Sequence, residues 1–83
     1  MTNPPLYHVY MLRCNDMSLY TGIAINLDKR VEEHNSSAKG AKYTRARRPV
    51  ILVYSETCED KSAALKREAA IKKMRKSQKE SLI

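Results

Sequence analysis

Residues 6–24, LYHVYMLRCNDMSLYTGIA, decide the fold. Two runs rich in Tyr, Val, Ile and Leu, at 6–14 and 18–24, are separated by Asn15, Asp16 and Met17. Such runs around a short polar break read as a β-hairpin. A three-residue loop sets Cys14 opposite Ser18, Leu12 opposite Tyr20 and Tyr10 opposite Gly22. Tyr10 and Tyr20 then lie diagonally on one face, with each ring in reach of the other. Gly22 leaves the space beside Tyr10 open to an approaching group. A loop of two or four residues would put the rings on opposite faces. Half-buried strands favour Tyr in any case, so plain packing also accounts for the pair.

Working outward, LDKRVEEH at 27–34 follows Asn26, which suits a helix cap, and Asp28 suits the positive end of the helix dipole. Residues 50–55, VILVYS, follow Pro49 and read as a third strand. From about Asp60 to Lys76 the chain is dense in helix formers with no Gly or Pro, which predicts a long helix. Ser77 and Glu80 have capping-box spacing for a last short turn through Leu82. The order β-β-α-β-α, with room for a short terminal helix, gives an α+β fold: a small three-stranded sheet flanked by helices. Eighty-three residues suit a single domain, 1–83, with one modest core.

Sixteen Lys and Arg against nine Asp and Glu leave a charge of +7, which points to a polyanionic partner. The excess is concentrated in KGAKYTRARR, residues 39–48, with five basic side chains and no acidic one. Gly40 and the following Pro49 mark it as a loop. Lys39, Lys42, Arg45, Arg47 and Arg48 surround Tyr43, which could stack on a base or hydrogen-bond a phosphate. A loop kept only for solubility is the alternative, and charge does not separate RNA from DNA. No apolar run approaches the roughly 18 residues of a membrane span, and Met1 to Leu6 lack signal-peptide features. A cytoplasmic protein with no membrane partner is expected. Cys14 and Cys58 form neither a C-x-x-C pair nor a Cys/His cluster, so two reduced thiols are expected rather than a zinc site.

Arg30 and His34, at i and i+4, share a face bordering Leu27 and Val31. An Arg so held could grip a phosphate bidentately; the plainer reading pairs it with Glu33 or Asp28 beside an exposed His. Ala64, Glu68, Ile71 and Arg75 recur at helical spacing, which puts Glu68 in the stripe facing the sheet. A carboxylate there is costly unless it binds a cation. One carboxylate with open coordination positions suits Mg2+, whereas an ordinary Glu68–Lys72 pair is the alternative.

In this order these residues resemble the GIY-YIG nuclease superfamily, in its small stand-alone members, from about Tyr7 to Ile83. His8-Val9-Tyr10 corresponds to the first motif and Tyr20-Thr21-Gly22 to the second. The family's arginine falls on Arg30, a frequent histidine on His34 and the metal-binding glutamate on Glu68. KYTRARRPVILVY resembles the stretch ahead of the third strand. The first motif lacks its Gly and Ile, Thr21 stands where the second has Ile, and only Gln78 is available for a C-terminal asparagine of larger members. The resemblance implies a three-stranded antiparallel sheet and DNA phosphodiester hydrolysis with one divalent ion, Mg2+ or Mn2+. It implies Glu68 as metal ligand, Arg30 on the phosphate, Tyr10 as general base under a pKa lowered by Arg30 and the metal, and Tyr20 and His34 as helpers. Single-stranded or branched DNA, in repair or recombination, is the expected substrate, with the basic loop, oligomerisation or a protein partner supplying targeting. On this reading Tyr10 and Tyr20 occupy the sheet face that Glu68 approaches, while Tyr7 and Tyr54 only pack. A non-catalytic nucleic-acid-binding module with the same fold is the competing reading, and a protein-interaction scaffold the third.

Overall fold

The computed structural model describes residues 5–83; residues 1–4, part of the segment judged to lack a leader, lie outside the described residues. The order is β1 (Tyr7–Arg13), β2 (Leu19–Ala24), α1 (Leu27–Ser36), α2 (Lys42–Arg45), β3 (Ile51–Cys58), α3 (Lys61–Lys72) and α4 (Lys76–Glu80). All strand pairings are antiparallel and the strand order is β2-β1-β3. The β-β-α-β-α framework holds. The basic segment is not purely loop, because Lys42 to Arg45 wind into one helical turn.

The hairpin register is the one the three-residue loop dictates: Tyr10 pairs with Gly22 and Leu12 with Tyr20. Met17 takes the left-handed backbone position (φ 69°), and its N–H donates to the Cys14 carbonyl at 2.9 Å. The Asp16 carboxylate accepts from the Ser18 N–H and hydroxyl, which fixes the turn.

β1 is central and covered on both faces, which explains its unbroken buried run Val9-Tyr10-Met11-Leu12. Val9 and Met11 pack with Ala64 and Ile71 of α3. On the other face Tyr10 and Leu12 pack with Cys14, Val50, Leu27 and Val31, so α1 covers that side. Tyr7 and Tyr54 pack against the α3-side core, and the Tyr54 hydroxyl also donates to Glu56. Cys14 and Cys58 are free thiols.

Asn26 caps α1 by accepting from the Lys29 N–H, and Asp60 caps α3 by accepting from the Ala63 N–H. The C-terminal helix breaks sooner than its composition suggests. The Arg75 N–H donates to the Gln78 side chain at 2.9 Å, so Gln78 does the capping expected of Glu80. Glu80 instead accepts a two-pronged bond from Arg13 at 2.6 and 2.8 Å, tying α4 to β1.

Two side chains fasten α1 to the chain that follows it. Asn35 both donates to and accepts from the Val50 backbone, at 2.9 and 2.7 Å. Arg48 donates to the carbonyls of His34 (2.6 Å), Glu33 (3.3 Å) and Ser37 (2.5 Å), satisfying the last turn of α1 with a cation. Gly40 allows the close approach of this loop, because a Cβ there would stand 2.7 Å from the Glu33 carbonyl oxygen.

Arg48→Ala should therefore cost about 2–3 kcal/mol in urea unfolding, through lost charged hydrogen bonds. Arg45→Ala, at an exposed position of α2, should change stability by no more than about 0.5 kcal/mol.

Candidate active site

β1, β2 and α1 bring Tyr10, Tyr20 and His34 together. The Tyr10 and Tyr20 rings are 6.5 Å apart, Tyr10 and His34 5.9 Å, and Tyr20 and His34 5.1 Å edge-on. His34 is fully buried rather than exposed. Its Nε2 lies 2.7 Å from the Tyr10 hydroxyl and its Nδ1 2.9 Å from the Thr44 hydroxyl. Thr44 in turn donates to the Ala41 carbonyl at 2.9 Å. The Nδ1–H tautomer satisfies the three short bonds, and leaves unused only a long contact of 3.4 Å from the Ala41 N–H to Nδ1. The Tyr10 O–H donates to bare Nε2, the Nδ1–H donates to Thr44, and Thr44 donates onward.

Sequence reasoning missed Thr44 altogether. Its only signal is a small hydroxyl inside a run of cations, which reads as surface but is fully buried.

Gly22 does not leave an empty space over the strand. A Cβ there would stand 2.6 Å from the Tyr10 hydroxyl oxygen and 3.1 Å from the Tyr20 ring. The missing side chain is thus what admits the Tyr10 phenol.

The electrostatics differ from the expected pattern. The Tyr10 pKa is pushed up to about 12, first by burial, then by Tyr20 and the Glu68 carboxylate, while nearby Arg30 pulls the other way and loses. His34 is pushed down to about 4, chiefly by burial and then by the Arg30 charge, with Arg48 adding to it. At neutral pH both members of the pair are uncharged.

Arg30 lies partly exposed on α1. One guanidinium nitrogen, Nη1, donates to Glu33 at 3.2 Å and to the Lys39 carbonyl at 2.8 Å. The guanidinium also leans on the Tyr10 hydroxyl, favouring its ionised form, and its partial exposure leaves it within reach of an oxyanion.

Glu68 requires a correction. α3 packs on the Val9–Met11 face, whereas Tyr10 and Tyr20 belong to the opposite, α1 face. Glu68 therefore does not approach from the tyrosines' side. Arg67, beside it, pairs with Glu56 of β3 at 2.6 Å. A rotation of about 100° along the helix turns Glu68 toward the β2 side of the sheet. β2 is an edge strand, so the Glu68 carboxylate lies across that edge from the tyrosines, and its charge adds a small push to the raised Tyr10 pKa. The Glu68 carboxylate also pairs with Lys72 at 3.4 Å, the ordinary i,i+4 contact.

The basic segment divides. Lys42, Tyr43 and Arg45 are exposed, as is Lys39 just ahead of α2. Arg47 stacks 3.8 Å above the Tyr43 ring and binds Asp16 at 3.0 Å. Arg48 is committed to the α1 carbonyls. Tyr43 also stacks against Tyr20, at 6.1 Å and 28°, joining this segment to the tyrosine cluster.

Residues 6–81 match the family model for the GIY-YIG catalytic domain. The chain is 56% identical to a UPF0213 protein of Desulfotalea psychrophila over 82 residues, which span 99% of this chain and 74% of that one. It is 54% identical to a UPF0213 protein of Syntrophus aciditrophicus over 76 residues, 92% of this chain and 87% of the relative. Among solved structures, the solution NMR structure of a UPF0213 protein from Bacillus halodurans is similar with a TM-score of 0.59 and 40% identity, over 93% of this chain and 81% of that one. An NMR structure of a protein from E. faecalis gives a TM-score of 0.64 and 46% identity, over 98% and 85%. No helix among the described residues is long and apolar enough to cross a membrane.

The buried imidazole has a measurable consequence. Unfolded, His34 takes up its proton near 6.5, but folded only near 4, so between these values the unfolded state binds more protons. Stability should hold above pH 6.5 and fall by up to about 3 kcal/mol on the way down to pH 4. Urea titrations of wild type and His34→Gln across this range check it; the variant should be less stable at pH 7 and lack this component of the acid loss.

Proposed function

The chain belongs to the GIY-YIG catalytic-domain family, a family of nucleases, and from that premise we propose that it hydrolyses DNA phosphodiester bonds with the help of one divalent ion. The observation that carries this reading is the cluster of Tyr10, Tyr20 and His34, with the Arg30 and Glu68 charges both acting on the Tyr10 hydroxyl.

The residues fit a metal of one kind. Glu68 supplies a single hard oxygen donor, largely shielded and paired only with Lys72. No group of three or more His, Cys, Asp or Glu side chains gathers among the described residues. That donor set does not make a closed cage for zinc or calcium. It suits Mg2+ or Mn2+, which keep waters and share their coordination with substrate phosphate. Bound there, the ion would supply Lewis-acid stabilisation of the phosphate.

The protein's own groups do the rest. The partly exposed guanidinium of Arg30 holds a non-bridging oxygen and stabilises the charge that builds there. Tyr10 does not act as a preformed phenolate, because burial keeps its proton on. It accepts a proton from the attacking water as its own proton moves to His34 Nε2, so no phenolate accumulates. Thr44 holds Nδ1 and keeps Nε2 aimed at the phenol. Substrate charge on Arg30 would offset the cation that depresses His34, making the imidazole a better acceptor when DNA is bound. Tyr20, partly exposed and stacked on Tyr43, orients water or the strand. Lys39, Lys42, Tyr43 and Arg45 provide salt-sensitive backbone contact, while Arg47 and Arg48 brace the segment that carries them. Single-stranded or branched DNA in repair or recombination suits so small a basic surface, and a protein partner could add targeting in the cytoplasm. The competing module that binds without cleaving would keep the basic segment but has no use for the Tyr10–His34 relay.

The test uses labelled single-stranded, duplex, flap and branched DNA with Mg2+ or Mn2+. Glu68→Ala and Arg30→Ala should each lower the cleavage rate by about a hundredfold or more. Cleavage unchanged in both variants contradicts the assignment. Binding without cleavage in either metal moves the answer to the non-catalytic module.

A further inference from the structure

A cleft of about 220 Å3 opens at the outer edge of β2, lined by Leu19, Tyr20, Thr21, Tyr43, Lys72 and Lys79. Its walls come from both sheet faces: Tyr20 and Tyr43 from the tyrosine side, Thr21, Lys72 and Lys79 from the α3–α4 side. Three features of this lining are unexplained by the fold. Thr21 is 3% exposed, yet its hydroxyl has no hydrogen-bond partner. Lys79 forms no ion pair among the described residues. Tyr20 and Tyr43 stack on each other to form an aromatic wall.

We infer that this cleft seats one unpaired nucleotide of the DNA strand, beside the bond to be cut. Tyr43 has one face on Tyr20 and the other under Arg47, so this aromatic wall offers a base its ring edges, for edge-to-face contact. The orphan Thr21 hydroxyl offers a hydrogen bond to the base edge, and the two ammonium groups face the flanking phosphates. Ligand sites for drug-sized molecules run to roughly 300–1,000 Å3, so this smaller cleft takes a single base. A base inside a duplex has its faces covered and its edge paired, so only an unpaired one can enter. Tyr20 belongs to the catalytic cluster, and Lys72 lies 3.4 Å from Glu68, which puts the seat next to the reacting phosphate. Thr21 is also where the chain departs from the isoleucine of the second motif. An isoleucine would leave no orphan hydroxyl.

This inference rests on the nuclease reading for the identity of the strand, but its test does not need cleavage. Labelled hexathymidylate is titrated in EDTA by fluorescence anisotropy against wild type, Thr21→Val and Lys79→Gln, together with hexamers lacking one base at each position in turn. Both substitutions should weaken intact hexathymidylate by about fivefold or more. One abasic position should weaken wild type similarly and abolish the Thr21→Val effect. Thr21→Val should melt no lower than wild type, because it removes an unsatisfied buried group, so weaker binding cannot be laid to misfolding. Binding by Thr21→Val within about twofold of wild type, an equal loss on every abasic hexamer, or tighter binding of hexauridylate overturns the inference. Loss of cleavage in Glu68→Ala with unaltered binding in Thr21→Val sinks the seat alone. The expected binding pattern without any cleavage sinks the nuclease reading and leaves the seat standing.

Discussion

The hydrogen bond from the Tyr10 hydroxyl to His34 Nε2 is the contact on which the rest of the molecule turns. It joins the central strand to the first helix through two side chains with no measurable exposure beyond 1%. Breaking it would strand two buried polar groups at once, each costing about 1–3 kcal/mol. Its geometry also dictates the neighbours. Gly22 must lack a side chain for the phenol to fit, and Thr44 must sit where it does to hold the far nitrogen. Thr44 belongs to the basic segment, so the same chain of hydrogen bonds anchors that exposed basic surface to the core. Arg48 and Asn35 complete that anchoring from the other end of the segment.

With Tyr10 and Tyr20 on one face of the three-stranded sheet and Glu68 on the helix of the other, the shortest way from one to the other runs around the sheet edge. β2 is that edge strand, and Gly22 lies on it. The arrangement separates opposing requirements. Tyr10 and His34 are buried and uncharged on the α1 side, while on the α3 side the largely shielded Glu68 carboxylate pairs with the more exposed Lys72.

Much of this was legible because local chemistry decides it. The three-residue loop settled the hairpin register, and register settled which tyrosine shares a face with which. Asn26 and Asp60 announced their helices, and both caps are made. The periodicity of α3 put Glu68 in one stripe with Ala64 and Ile71; those two are buried against the sheet, and Glu68 beside them is partly buried. Periodicity could not say which face of the sheet that stripe meets, since a helical period carries no such information. Topology does: β2 and β3 run parallel on either side of β1, so the chain between them crosses one face, and α1 takes the tyrosine side. Only the other face remains for α3. The burial of His34, Thr44 and the Arg48 head group was hidden for a different reason. Each looks solvent-seeking in sequence and is internal only because partners distant along the chain satisfy it. Glu80 likewise answers to Arg13, 67 residues away, rather than to its local spacing.

The central claim is that Tyr10 gives its hydroxyl proton to a neutral His34 held in the Nδ1–H form. Two-bond 1H–15N correlation spectra of the histidines across pH 8 to 5 test it most directly. The account predicts that His34 stays neutral throughout, with its proton on Nδ1 and a bare Nε2, because its protonation is displaced to about 4. A His34 that titrates near its ordinary value of about 6.5, or that carries its neutral proton on Nε2, would contradict it.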